Sequence, residues 1–215
     1  MIIDKSQALV VLLGAFNTQV LRDPFWVNKY IFSDSNSDPL NSTMRLDMLT
    51  DKITTFFEND GLKIEVSLGR IAITPKDLSK DSIDSTYDII TKISQSLPRA
   101  IINAYGVNFG FLGEVTRPFL WKETKILMKT SENISMLDFK QVLECEDYRI
   151  NYSISEEKTA SKKYKERLTF NFHTNLNRKT AEEAFADFPK SKRIETFWNL
   201  AKQQAKSVLG DDKLE

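Results

Sequence analysis

The run 99–113 constrains the fold more than any other stretch, because it is long and mostly apolar yet built against helix. Pro98 has no amide hydrogen to donate and disfavours the helical region for Leu97, so a helix arriving from the N-terminal side must stop there. Gly106, Gly110 and Gly113 follow, each costing a helix about 1 kcal/mol relative to Ala. The run is therefore read as a buried strand. From Tyr105 its alternation puts Tyr105, Val107, Phe109 and Phe111 on one face and Gly106, Asn108 and Gly110 on the other. The small face predicts close approach by another part of the chain, with a ligand beside Gly106, Asn108 and Gly110 as the alternative.

The segment 7–16 is short, apolar and β-branched, and is expected to be a strand beside the first. Asp23-Pro24 supplies an N-cap followed by Pro at the first helical position. Phe25, Trp26, Tyr30 and Phe32 then form either a satellite core or a partner-binding face. Residues 33–43 are polar and Pro-broken, a loop and candidate hinge. Between 44 and 74 the chain reads as a strand meander: Asn59-Asp60-Gly61 suits a type I′ turn, and Leu62, Ile64, Val66 and Leu68 alternate inward. Lys80 to Leu97 carries a helical stripe of Ile83, Tyr87, Ile90, Ile93 and Leu97, with caps offered by Asp81, Ser82 and Ser85. Strands are expected over 124–130, 136–145, 148–154 and from Leu168, joined across 155–167 by an exposed connection or by the wet ends of paired strands. Helices at 180–188 and 191–209, with Gly210 as cap, end the chain.

One wet sheet face argues for an α+β fold: largely antiparallel twisted sheet or sheets, helices packed on one face, and a C-terminal helix closing the domain. The halves 1–113 and 114–215 are the expected organisation, either as two units or as one continuous domain.

Composition narrows the chemistry. Lys plus Arg and Asp plus Glu are each 30 in 215 residues, which removes the broad basic field of non-specific nucleic-acid binders. No apolar run reaches the length of a membrane span, and the opening residues lack a basic leader start, so a cytoplasmic protein is expected. Cys145 is the only cysteine and His173 the only histidine, so neither a disulfide nor a Cys/His zinc site is expected within one chain. As a nucleophile and base the pair lacks support, because acidic flanks raise a thiol pKa. Asp138-Phe139-Lys140 has the acid-x-Lys form of metal-dependent nucleases, with Glu114, Glu123 or Glu132 as further carboxylates. Lys162, Lys163, Lys165 and Arg167 form a basic cluster that glutamates dilute. The glycines fit neither the dinucleotide nor the phosphate-loop pattern.

The reading that emerges is a non-enzymatic interaction or assembly subunit of a cytoplasmic microbial complex, with no cofactor. Its partner, another protein or a second copy, would be met by Phe25, Trp26, Tyr30, Phe32, Phe119 and Trp121 and by strand edges. Nucleic-acid binding or Mg-dependent cleavage through 162–167, Asp138, Lys140 and Glu114 is the first alternative, and small-ligand sensing the second.

Overall fold

The run after Pro98 is β7 (Ile101–Val115) in a computed structural model that describes residues 2–4, 7–32, 42–47, 52–115, 120, 136–158 and 164–209. Tyr105, Val107, Phe109 and Phe111 are buried, as the alternation requires. The fold is α+β, with a largely antiparallel sheet and helices that include a C-terminal one. The chain forms two compact units of interleaved segments: Ala8–Val107 with Thr174–Ile194, and Met1–Gln7 with Asn108–His173 and Glu195–Glu215.

The first unit is a meander. Its strands are β2 (Val10–Ala15), β3 (Ser42–Asp47), β4 (Lys52–Asn59), β5 (Leu62–Ser67) and β6 (Arg70–Thr74). They are ordered β3-β4-β5-β6-β2, and β2 pairs antiparallel with β7 through Leu12 opposite Tyr105. Asp60 and Gly61 have φ of 49° and 80°, the double positive φ that a type I′ turn needs. Leu68 corrects the expected alternation: it is 79 % exposed, while Ser67 is buried. Gly69, at φ 71°, turns the chain after Ser67, so Leu68 sits on the turn and not in the ladder. Likewise Ser42 and Thr43, expected in a loop, belong to β3.

Asn17 and Asp23 cap two short helices, α1 (Thr18–Leu21) and α2 (Pro24–Val27), and a π-helical turn Asn28–Phe32 follows. α3 (Lys80–Ser96) is capped by Ser79, whose side chain accepts from the Ser82 N–H, two residues before Asp81, the first of the caps expected. Its stripe carries Tyr87, whose hydroxyl accepts a 2.9 Å hydrogen bond from the Ile194 N–H and whose ring meets Phe188 edge-on. Phe188 in turn meets Tyr105 at 5.0 Å between centroids. α3 is thereby tied to the helix-bearing face of β7. α4 (Ala181–Phe185) begins with a capping box between Thr180 and Glu183.

The second unit holds β1 (Ile2–Ile3), β8 (Met136–Glu144), β9 (Arg149–Lys158) and β10 (Tyr164–Thr180, up to His173). The order is β7-β10-β9-β8, with β1 antiparallel on β7. β9 and β10 pair from His173 opposite Arg149 to Tyr164 opposite Lys158, so most of 155–167 is ladder and not connection. α5 (Arg193–Leu209) lies across the apolar face: Phe197 stacks on Phe172 at 4.5 Å, and Trp198 stacks on Phe111 at 5.6 Å. Ala201 and Ala205 are fully buried. Small side chains on that stripe let the helix approach the sheet closely.

Candidate interaction edge

The polar face of the second unit is built in rows across its strands. Asn171 donates to Asn108 Oδ1 at 2.5 Å and Asn151 donates to Asn171 Oδ1 at 2.7 Å, a ladder of amides on β7, β10 and β9. One row along, Ser153 bonds Thr169. In the next, Arg167 bonds Asp4 Oδ2 through Nε at 2.8 Å and Nη2 at 2.5 Å. Asp4 is buried against Gly110, where an added Cβ would come within 2.7 Å of the Asp4 Cβ. The close approach expected on this face is thus made, at Gly110, by the chain's own N-terminal segment. Asn108 is engaged by Asn171, and Gly106 is buried opposite Val11.

The other face departs from expectation at Glu156 and Glu166. They fall in the stretch 155–167 that is expected to be wet, yet both are buried and directly opposite one another in the ladder. The alternation that turns Ile154 and Leu168 inward carries these two inward as well, because the strands run on past the apolar stretch. Glu156 Oε1 accepts from the Leu120 N–H at 2.8 Å. Burial first, and then the Glu166 and Glu156 carboxylates, push the Tyr152 phenol well above its ordinary value. Among the described residues, no group of three His, Cys, Asp or Glu is arranged to hold a metal ion.

β8 is the outermost strand of this unit, and among the described residues its ladder partner is β9 alone. Every residue of it except Leu137 is exposed. Met136 is 52 %, Phe139 41 %, Val142 55 % and Leu143 42 % accessible. These apolar groups stand on both faces, because period-2 alternation puts Met136 and Val142 on the polar face and Phe139 and Leu143 on the other. The α5 rings reach Phe172, Phe111, Phe109 and Tyr148, whereas Phe139 has its ring contact with Tyr152 at 6.3 Å. No proline or bulge interrupts β8, whose register with β9 runs unbroken from Met136 to Glu144, and its charges are Asp138, Lys140 and Glu144. β3 ends the order in the other unit and is also exposed, with Met44 and Leu46 uncovered, but it is shorter.

The remaining candidate residues scatter. Asp138 and Lys140 lie on the polar face of β8, opposite Ser155 and Ser153. β10 and β9 separate β8 from β7, so the strand of Glu114 runs three ladder spacings away, about 14 Å. Lys165 is exposed opposite Glu157, and Arg167 is committed to Asp4. His173 faces Arg149, which itself faces Glu144; burial and then Arg149 hold its imidazole below the ordinary value. Cys145 is exposed just beyond β8. Phe25 and Tyr30 are exposed, with Trp26 against Tyr30 at 5.2 Å, while Val27 and Ile31 between them are buried. Phe119, Trp121, Glu123, Glu132, Lys162, Lys163, Gly210 and the expected strand 124–130 lie outside the described residues.

Among the described residues no helix is long and apolar enough to cross a membrane. Compared with protein-family models, curated proteins and solved structures, the chain matches none.

Proposed function

We propose that the chain is a non-enzymatic interaction or assembly subunit whose principal contact element is the open edge of β8. One observation supports this above the rest: a nine-residue strand, paired among the described residues by β9 alone, carries four exposed large apolar side chains. Such an edge offers a row of backbone donors and acceptors, and an added strand from a partner satisfies them while covering the apolar groups. The exposed ring of Tyr30, packed on the half-buried Trp26, and the exposed Phe25 offer a second, smaller contact in the other unit. The exposed thiol of Cys145 fits a reducing compartment, consistent with a cytoplasmic complex.

Light scattering on the eluting full chain, with retention of partners from its native lysate, tests the reading. Association above the 24.8 kDa of one chain, or a retained partner, is expected, and Val142→Lys, at the most exposed apolar position of β8, should weaken it at least about tenfold with circular dichroism unchanged. A chain that stays at 24.8 kDa at every concentration and retains nothing would overturn it.

A further inference from the structure

We infer that β8 pairs with the β8 of a second copy of this chain, antiparallel and in a register centred on Phe139. This rests on the reading of β8 as a contact edge and names its occupant. When a strand pairs with its own copy about a two-fold axis normal to the sheet, facing residues must share a sheet face, so the axis has to fall on a residue position. That leaves few registers, and the charges of β8 choose among them.

Centred on Phe139, Asp138 of each copy faces Lys140 of the other, so two opposite-charge pairs form by symmetry. Met136 faces Val142 twice on the same polar face. On the other face Phe139 meets Phe139 and Leu137 meets Gln141. Met136, Phe139 and Val142, three of the four exposed apolar groups, each meet an apolar partner across the seam. The competing registers are worse. Centred on Asp138 or on Lys140, the axis sets like charge on like charge; centred on Gln141, Asp138 faces Glu144. Centred on Val142, Lys140 faces Glu144, but the ladder shrinks to 140–144 and Phe139 faces Cys145, beyond the end of β8. The acid-x-Lys triplet, which by its spacing invites a nuclease reading, is in this arrangement a self-complementary charge pattern astride an aromatic.

Charge exchange in the full-length chain tests this, read as solution mass by sedimentation across a concentration and salt series. The wild type is expected to reach twice 24.8 kDa, more weakly as salt rises. Asp138→Lys alone and Lys140→Asp alone each create two like-charge pairs and should weaken the dimer at least about tenfold. The double exchange D138K/K140D restores both opposite-charge pairs of the Phe139-centred register and should restore the dimer, and an equimolar mixture of the two single variants should form a heterodimer. Both positions are exposed, so circular dichroism should not move, nor should the melting temperature read at a dilution where the wild type is monomeric. A wild-type dimer indifferent to these exchanges, or one that the double exchange does not rescue, overturns the inference while the broader reading of an interaction subunit stands. A monomeric wild type that retains a different protein through Phe139 and Val142 overturns it in the same way. A monomer that retains nothing overturns both.

Discussion

Phe172→Ala is expected to lower the unfolding free energy by about 3–5 kcal/mol, the range for truncating a buried phenylalanine to alanine. Phe172 is 1 % exposed and sits where α5 meets β10. Its ring lies at 4.5 Å and 8° to Phe197, 6.0 Å from Phe109 and 6.1 Å from Tyr148. Removing it deletes the platform under Phe197, and α5 cannot settle into the gap because Trp198, one residue on, is stacked on Phe111. A cavity therefore remains. Urea denaturation should show a lower midpoint with an unchanged slope, and thermal denaturation a fall of about 10 °C. Phe172→Leu, which keeps most of the volume, should lose less than half as much. A loss below about 1 kcal/mol for the alanine variant would mean that the ring stack does not carry the packing of this helix.

Gly14→Ala is the second large expected effect, and it acts by overfilling. The β2–β7 register shifts between Leu13 and Gly14, and there the two backbones approach so closely that an added Cβ would lie 2.2 Å from the Ile101 carbonyl oxygen and 3.0 Å from the Ile102 Cα. Neither atom belongs to a side chain that can rotate away. Gly14 also donates its N–H to the Gly69 carbonyl at 3.0 Å, so moving β2 outward strains the turn after β5. A cost of about 3 kcal/mol or more is expected, at the upper end for overpacking. Equilibrium denaturation measures it directly; a variant that unfolds at the wild-type urea concentration would show that the bulge relaxes freely.

Much of this architecture was legible in local pattern. Pro98 and the spaced glycines mark β7, Asp60-Gly61 marks the β4–β5 turn by the φ values those residues tolerate, and the spacing of Tyr87 and Ile90 marks the buried side of α3. Failures arose where tertiary partners decide. Leu68 continues a flawless alternation and is exposed because the turn begins one residue earlier than the pattern ends. Glu156 and Glu166 are polar by composition yet inward by register, and nothing within 155–167 shows that the ladder persists that far. That Gly110 receives a neighbour follows from its lack of a side chain; that the neighbour is Asp4, held by Arg167 from a distant strand, does not. The same limit applies to the edge. The alternation of 136–144 identifies a strand, but its place at the end of the order β7-β10-β9-β8 depends on long-range pairing, and only that order makes its exposed apolar groups informative.

The most direct measurement is residue-resolved amide hydrogen exchange along β8 in the full chain at associating concentrations. In a strand paired on both sides, successive amides from Leu137 to Leu143 are all protected, because those pointing away from β9 have found carbonyls on an added strand. The account predicts that uniform protection. Strictly alternating protection, with every outward amide exchanging as fast as an unstructured one, would show that β8 remains an unfilled edge and would contradict it.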